Sequence, residues 1–250
     1  MRNVLMLSLA NQGYEVLYKR NIDSHRRYAK LKGYHYVCVT DPIYTKLAME
    51  VAWLKIYLIE KALKAGYDWV MFVDADCEVK TSTPSIENVE VQGKYLYIAK
   101  GYSGQLNSGV LIIKNEYQAI KSLERIRRNI DNELLEDETH VGWGENDCVI
   151  LECRNNPAVQ VIGRVWNNNG SLKMNDFITH YSAGPLRRYF SAPLIVRLKF
   201  FGITKCLGVI RRMDNLLLGG VTSKHQMLKS LLNKVIERHP DIACISYVNN

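Results

Sequence analysis

The chain has 250 residues, enough for one sizeable α/β domain with a small appendage. It is 47% hydrophobic and 23% charged, with no low-complexity tract or internal repeat, which excludes a disordered or repeat protein. All of its net charge of +8 lies in residues 186–250, which hold eleven Lys and Arg against three Asp and Glu. This asymmetry predicts an anionic partner, either a membrane surface or a nucleic acid.

The cysteines and the apolar runs bear on location. The six cysteines show no CxxC pair and no zinc-like spacing, so we expect free thiols in a reducing compartment. The run from Val4 to Leu9 is too short for a signal peptide. The sequence also lacks an uninterrupted apolar stretch of about 18 residues, so we expect no membrane-spanning helix. The sequence favours the cytoplasm, with peripheral attachment to the cytoplasmic membrane face through the basic segment.

Strand and helix patterns alternate at the start of the chain. Apolar and β-branched runs predict three strands, at 3–10, 34–40 and 69–73. Helical patterns lie between them, at 13–32 and 47–65, and each ends at a glycine, Gly33 or Gly66. This order predicts an α/β fold with a mostly parallel central sheet flanked by helices.

Beyond residue 76 the pattern is less regular. Further strands are predicted at 95–100, 106–114, 158–163 and 177–182, and helices at 116–132 and 145–153. We place a catalytic domain at residues 1–185 and a small, basic, partly amphipathic helical extension at residues 186–250. Gly202, Gly208, Gly219 and Gly220 argue against a single long helix in that extension.

The strongest chemical signal is a pair of acids directly after the third strand. Five apolar residues, 69–73, lead without a spacer into Asp74, Ala75 and Asp76. A buried strand ends at the edge of the sheet where open α/β folds bind ligands. Two carboxylates there repel each other unless a cation joins them, and Mg²⁺ or Mn²⁺ bound with substrate phosphates meets that demand. A solvated turn after the strand is the alternative.

Six sequence blocks in a fixed order carry a resemblance to a known family. They are SHRRYAKLKGY, WLKIYLIEKAL, WVMFVDAD, LNSGVLIIKN, GENDCVIL and THYSAG, between Ser24 and Gly184. In their order and spacing the chain resembles the Golgi α-galactosyl-, α-mannosyl- and xyloglucan xylosyltransferases and, more distantly, the glycogenin-like family. The resemblance implies a GT-A (Rossmann-like) fold, a nucleotide-sugar donor, a Mn²⁺ cofactor, and transfer with retention of anomeric configuration.

The same resemblance implies a metal site. Asp76 would ligate the metal directly, Asp74 would also face the ribose or sugar of the donor, and His180 would complete the site. Mn²⁺ accepts mixed nitrogen and oxygen ligands, so a neutral imidazole suits it. Taken alone, a histidine at a strand end is more often a hydrogen-bonded structural residue.

Several residues are predicted to bind the donor. Lys55 matches a family lysine near the diphosphate, although helical lysines are commonly solvated. Small residues at the start of the strand at 106–114 let the backbone approach a ligand, although a β-bulge or turn would also explain them. Together with Asp74, the predicted donor-binding residues are Ser8, Arg27, Tyr28, Lys55, Ser108, Gly109 and Gly184.

Three residues are predicted to act near the reacting sugar: Asn107, Glu145 and Asp147. The amide of Asn107 can both donate to and accept from sugar hydroxyls. The family has two adjacent acids followed by glutamine, whereas this chain has Glu-Asn-Asp-Cys at 145–148, so either Glu145 or Asp147 approaches the reacting carbon. The alternative is that both acids stabilise the N-terminus of a helix.

The sequence therefore predicts a metal-dependent glycosyltransferase that moves a sugar from a nucleotide-diphosphate donor, with UDP the expected nucleotide, to a saccharide or lipid-linked glycan. One alternative is a sugar-nucleotide nucleotidyltransferase, which usually has an early glycine-rich phosphate loop that is absent here. The other is a basic nucleic-acid-binding protein, for which no motif is present.

The segment at 191–213 alternates bulky apolar residues with cations, which is typical of an element at an anionic lipid surface. A C-terminal helix packed on the catalytic domain or on a second subunit is the alternative.

Overall fold

The computed structural model describes residues 2–131, 144–217 and 223–244. Within these ranges the strands are β1 (Val4–Leu9), β2 (His35–Val39), β3 (Trp69–Val73), β4 (Cys77–Val79), β5 (Leu96–Lys100), β6 (Leu106–Lys114), β7 (Val159–Ile162) and β8 (Ile178–His180). The helices are α1 (Tyr14–Leu17), α2 (Lys19–Lys32), α3 (Leu54–Lys64), α4 (Tyr117–Arg128), α5 (Glu145–Arg154), α6 (Leu194–Leu217) and α7 (Lys224–Arg238).

Six strands form the central sheet, in the order β2-β1-β3-β6-β5-β7. β1 is parallel to β2 and β3, and β7 is parallel to β5, whereas β6 is antiparallel to both β3 and β5. Most neighbouring pairs are therefore parallel, and the predicted α/β class is confirmed. The two remaining strands, β4 and β8, form a separate antiparallel ribbon.

β3 lies in the middle of the sheet and is buried over its whole length. Its side chains alternate between the two faces, as the two-residue period of a strand requires. Val70 and Phe72 pack into a core that includes α3, α4, α5 and α7, whereas Trp69, Met71 and Val73 pack against α2 on the other face. Because helices cover both faces, the residues that follow β3 emerge at an edge of the sheet.

The helix starts and ends follow local sequence signals. α2 ends at Gly33, whose left-handed backbone (φ 69°) lets its N–H bond the carbonyls of Ala29 and Lys30, as predicted. The predicted helix at 47–65 instead begins as a 3₁₀ helix, Ala48–Trp53, before α3. This tighter start separates the segment that borders the cavity described below from the buried helix.

α6 is one continuous helix of 24 residues, so the expectation is wrong for Gly202 and Gly208, whereas Gly219 and Gly220 lie outside the described residues. Gly202 and Gly208 cost about 1 kcal/mol each relative to alanine in a helix interior. Contacts to the rest of the protein offset this cost, because Leu207 is buried and Arg211 donates hydrogen bonds to two other segments. α7 also joins the main core through Leu228, Leu231 and Val235. Across the described ranges, every helix is too short or too polar to span a bilayer.

Candidate active site

The two acids after β3 lie in a tight turn at the edge of the sheet. The N–H of Asp74 donates to the Gly109 carbonyl on β6 at 2.8 Å, and the N–H of Cys77 donates to the Asp74 carbonyl at 3.0 Å. The turn leads into β4, whose antiparallel pairing with β8 sets Cys77 opposite His180. The ribbon therefore brings the late histidine beside the acids.

His180 is held in one orientation. Its Nε2 lies 3.1 Å from Asp76 Oδ1 and 4.0 Å from Asp74 Oδ2. Its Nδ1 lies 2.8 Å from Asn167 Oδ1, and Asn167 Nδ2 donates to the Oδ1 of Asn107 at 2.8 Å. Because the Asn167 amide nitrogen is occupied in this way, its oxygen accepts the proton of Nδ1. Nε2 faces the acids. Burial acts to lower the pKa of His180, but Asp76 and Asp74 outweigh it and hold the pKa above its ordinary value, so without a cation Nε2 carries a proton and donates it to Asp76. Loss of that proton would leave a lone pair of Nε2 directed at the acids, as in a metal-binding histidine.

Gly109 leaves the space that the imidazole occupies. A Cβ at this position would lie 2.2 Å from Cε1 and 2.7 Å from Nδ1 of His180, so no other residue fits without displacing the ring. The Gly109 N–H also donates to Asn107 Oδ1 at 3.0 Å. Gly109 and Asn107, both predicted at the donor sugar, are thus placed behind His180.

The donor set suits a divalent cation. Ligand atoms of Asp76, Cys77 and His180 lie within 4.8 Å of one another. Burial raises the pKa of the Cys77 thiol well above its ordinary value, with Asp76 and Asp74 adding to the effect, and a hard cation such as Mn²⁺ or Mg²⁺ prefers oxygen and nitrogen ligands to sulfur. Asp74, whose Oδ2 lies 4.0 Å from His180 Nε2, could take the place of the sulfur, and two carboxylates with one imidazole would fit Mn²⁺.

Lys55 enters from α3 and is fully enclosed. Its Nζ lies 2.7 Å from Glu145 Oε1 and 3.4 Å from Asp74 Oδ1, and the Ser108 hydroxyl donates to the same Glu145 oxygen at 3.1 Å. Burial acts to lower the pKa of Lys55, but Asp74 and Glu145 outweigh it and hold the pKa above its ordinary value. Lys55 is therefore a buried cation beside the acids, not a solvated helix residue.

The pKa values of the two acids shift in opposite directions. Burial raises the pKa of Asp74 to about 6, with Lys55 opposing and Asp76 adding to the shift. Burial also acts to raise the pKa of Asp76, but His180 and Arg187 outweigh it, and that pKa lies below its ordinary value. An added cation would therefore mainly stabilise the ionised form of Asp74.

Arg187 is a second cation at the site, and the sequence did not single it out. Its Nη1 lies 3.8 Å from Asp76 Oδ2 and donates to the Tyr181 carbonyl at 3.1 Å and to the Tyr18 hydroxyl. The guanidinium also lies over the rings of Tyr18 and Phe190, at 5.7 and 6.0 Å from their centroids. It belongs to the basic segment that the sequence assigned to a membrane surface, so no motif linked it to the acids.

A cavity of about 550 Å³ opens beside these groups. This volume lies in the range of roughly 300–1,000 Å³ that is usual for small-molecule sites. The wall combines the ends of β1 and β3, the 3₁₀ segment before α3, residues near Arg187, and α6. The lining residues are Leu9, Asn11, Gln12, Tyr14, Tyr18, Ala48, Met49, Val51, Ala52, Lys55, Phe72, Asp74, Ala75, Asp76, Ala183, Arg187, Thr204, Leu207 and Arg211.

Two features of the cavity wall point to a ligand. Gln12 (φ 56°) and Ala48 (φ 50°) both adopt left-handed backbone conformations, which cost about 1–3 kcal/mol for residues other than glycine and cluster at functional sites. Among the described residues, the buried Nδ2 of Asn11 has no hydrogen-bond partner. An unsatisfied buried donor in a cavity wall is a natural contact for a polar ligand atom.

The structure does not bring all of the predicted donor-binding residues to the cavity. Ser8 is buried and bonds His25 Nδ1 at 2.9 Å, and the buried Tyr28 donates to the Pro84 carbonyl at 2.7 Å. Arg27 is exposed on α2. None of these three side chains lines the cavity, and we leave them out of the proposal below.

Gly184 and the two acids of α5 occupy distinct places. A Cβ at Gly184 would lie 2.8 Å from the ring of Tyr102, so this glycine allows a close packing contact outside the cavity. Of the two acids, Glu145 contacts the Lys55 cluster, whereas Asp147 is buried in the first turn of α5. Glu145 is thus the one positioned next to the cavity residues.

Two solved glycosyltransferase structures are similar to the chain in fold. No family model matches the chain, and no curated protein matches it. The chain is similar to the crystal structure of a glycosyltransferase involved in the glycosylation of the major capsid of PBCV-1, with a TM-score of 0.56 and 14% identity over 74% of this chain and 97% of that one. It is also similar to the apo form of the glycosyltransferase GlyE of Streptococcus pneumoniae TIGR4, with a TM-score of 0.52 and 11% identity over 94% of this chain.

The chain spans 64% of the GlyE structure. At these identities the likeness shows that the chain shares the fold of these two glycosyltransferases, and the narrower resemblance to the Golgi transferases stays a prediction.

Proposed function

We propose that the chain is a glycosyltransferase that moves a sugar from a nucleotide-diphosphate donor, with UDP the expected nucleotide, to a saccharide or lipid-linked glycan. The observation that carries this proposal is the convergence of Asp74, Asp76 and His180 beside a cavity of about 550 Å³. The glycosyltransferase fold of the similar structures agrees with it.

Asp74, Asp76 and His180 would hold Mn²⁺ or, alternatively, Mg²⁺. Bound there, the cation would neutralise charge on the diphosphate of the donor. Two other residues support this site. The side-chain oxygen of Asn167 accepts the Nδ1 proton of His180, which leaves Nε2 as the ligating atom, and the absence of a Cβ at Gly109 leaves room for the ring.

Two cations of the chain complete the diphosphate site. Both Lys55 and Arg187 line the cavity. Lys55 is fixed between Glu145 and Asp74, so its charge is already in place when the donor binds. Arg187 is about half exposed and can turn from Asp76 towards a phosphate oxygen. Prearranged positive charge of this kind stabilises a leaving diphosphate as its bond to the sugar breaks.

The end of the cavity near β1 is suited to the nucleoside. The unsatisfied amide of Asn11 can donate to a base or ribose oxygen. Tyr14 and Tyr18 line the same region and stack parallel, with centroids 5.9 Å apart, which offers an aromatic surface to a base. We assign Asn11, Tyr14 and Tyr18 to nucleoside binding.

We further propose that the anomeric configuration is retained. Among the described lining residues the carboxylates are Asp74 and Asp76, and both are assigned to the cation. The acceptor hydroxyl therefore attacks on the face that the diphosphate leaves: the new C–O bond forms, the sugar–phosphate bond breaks, and the leaving phosphate takes the proton. Asn107, through Asn167, and Glu145, through Lys55, then act by positioning the groups around the cavity.

The proposed location is the cytoplasmic face of a membrane, with peripheral attachment. All six cysteines are free in the structure, which agrees with a reducing compartment.

Thermal unfolding with and without ligands tests the proposed function. UDP with Mn²⁺ should raise the melting temperature, whereas UDP with EDTA should do so much less, and ATP or duplex DNA should not. Asp76→Asn should abolish the part of the rise in melting temperature that depends on Mn²⁺. Asp23→Asn is the matched control, because Asp23 is a surface acid paired with Lys19 and Arg26. Stabilisation by nucleoside triphosphates would favour a nucleotidyltransferase, and stabilisation by DNA would favour a nucleic-acid-binding protein.

A further inference from the structure

One side of α6 is apolar and uncovered. Leu194, Leu198, Phe201, Val209 and Leu216 are between 56% and 85% exposed. Their spacings fit steps of three and four residues, which places them along a single stripe of the helix. We call this stripe the outer face of α6.

The outer face is also strongly cationic. Lys205 and Arg212 fill the gaps in the apolar stripe, and both are exposed. Residues 186–213 contain no Asp or Glu and seven cations: Arg187, Arg188, Arg197, Lys199, Lys205, Arg211 and Arg212. Long cationic side chains set among bulky apolar ones can extend to lipid headgroups while the apolar groups enter the acyl boundary.

The opposite side of α6 belongs to the cavity. Thr204, Leu207 and Arg211 line it, and Arg211 donates to Gln12 Oε1 at 2.9 Å and to the Thr45 carbonyl at 3.2 Å. A single helix, about 10 Å in diameter, therefore separates the outer face from the cavity.

We propose that the outer face of α6 docks on an anionic bilayer surface, so that one helix lies between the membrane and the cavity. Taken with the function proposed above, on which this step rests, the arrangement assigns the acceptor to the lipid-linked glycans, since of the two proposed acceptor classes these are the ones anchored at that surface.

Two other occupants of the outer face fit less well. If two copies packed with their α6 helices fully overlapped, Lys205 would lie near the partner's Lys205 in either direction, because it stands at the middle of the helix, and this like-charge contact opposes association. A spanning role is also excluded, because the described helices do not meet the requirements for crossing a bilayer.

Vesicle sedimentation tests the docking surface without any need for activity. Wild-type protein should sediment with vesicles of phosphatidylcholine and phosphatidylglycerol, and far less with pure phosphatidylcholine. Lys205→Gln combined with Arg212→Gln should weaken partitioning about thirtyfold. Leu198→Gln combined with Phe201→Gln should weaken it by at least about tenfold.

Matched controls come from other helices. Lys30→Gln with Lys61→Gln removes two exposed charges, and Leu31→Gln with Tyr117→Gln removes two exposed apolar groups. Both controls should bind anionic vesicles like the wild type.

Equal sedimentation with both vesicle types, or outer-face variants that bind like the wild type, would overturn the proposal. The proposal would also be overturned if the wild-type protein formed a dimer that dissociates in the outer-face variants and did not bind vesicles. Thermal stabilisation of the same variants by UDP and Mn²⁺ is measured in parallel. If that response is present while vesicle binding is lost or absent, only the docking surface is affected; if it is absent in the wild type, the proposed function itself fails.

Discussion

Lys55 Nζ and Glu145 Oε1 form an ion pair at 2.7 Å, with both side chains less than a tenth exposed. The pair joins α3 to the first turn of α5. Because the Ser108 hydroxyl donates to the same Glu145 oxygen, it also fixes the start of β6. The pair thus links three elements directly behind Asp74.

Lys55→Met tests the energetic role of this pair. The change leaves Glu145 as a buried carboxylate without its cation, so we expect the free energy of unfolding to fall by about 3–5 kcal/mol. Adding Glu145→Gln should recover a large part of that loss, because the second change removes the stranded charge. Urea unfolding of the two single variants and the double variant measures this coupling. Strictly additive losses would show that the pair is not coupled.

Gly109→Ala tests the packing of the imidazole. The new Cβ would overlap the His180 ring, so the ring must move away from Asp76. We expect the apparent affinity for Mn²⁺ in the presence of UDP, measured by thermal stabilisation, to fall at least about tenfold. This is the loss that is typical when a metal ligand is no longer held in its orientation. Gly163→Ala is the control, since its new Cβ would lie 3.5 Å from Cγ2 of Val165, an ordinary van der Waals distance. Unchanged Mn²⁺ affinity in Gly109→Ala would contradict the assigned place of His180.

Asn167→Ala tests the hydrogen bond that orients His180. Without the acceptor for Nδ1, the ring loses its fixed tautomer, and Mn²⁺ affinity should weaken by about 10–100-fold. Calorimetric titration of Mn²⁺ into the UDP-bound protein measures the change. Binding of UDP in EDTA should stay as in the wild type, and Asn88→Ala, at an exposed surface position, should alter neither quantity. Equal Mn²⁺ affinities for both variants would rule out an orienting role.

The buried His25 predicts a pH dependence of stability. Burial lowers the pKa of His25 to about 4, although its hydrogen bond to the Cys77 carbonyl opposes the shift. Unfolded histidine titrates near pH 6.5, so between pH 6.5 and 4 only the unfolded state takes up this proton. His25 should therefore contribute no pH dependence above pH 6.5, and about 3 kcal/mol of stability should be lost as the pH falls from 6.5 to 4.

Urea unfolding across this range, compared with His25→Gln, measures the effect. The variant should show a shallower slope between pH 6.5 and 4, because its side chain does not titrate. Parallel slopes for wild type and variant would contradict the assignment.

The sequence predicted those parts of the site that depend on local patterns. An apolar run that ends in two acids is sufficient to place Asp74 and Asp76 at the edge of a buried strand, and the structure agrees. Lys55 and His180 came from the resemblance, since nothing in their own neighbourhoods distinguishes them from structural residues. The three-residue ribbon that brings His180 to Asp76 is too short to show any strand periodicity.

The missed features depend on contacts between distant segments. Asn167 lies in a polar run that is typical of a surface loop. In the structure it is fully buried, and its side chain hydrogen-bonds Nδ1 of His180. α6 reads as a broken amphipathic element because its cavity face and its outer face both contain apolar and cationic residues. Only the packing of Leu207 and Arg211 against the cavity wall distinguishes the two faces.

The central claim is that Asp74, Asp76 and His180 hold a cation against the diphosphate of a nucleotide-sugar. Anomalous diffraction from a crystal soaked with UDP and Mn²⁺ tests it most directly. The account predicts a single strong manganese peak among these three side chains, with the diphosphate of UDP beside it and beside Arg187. A manganese peak elsewhere on the protein, or UDP bound outside the cavity, would contradict it.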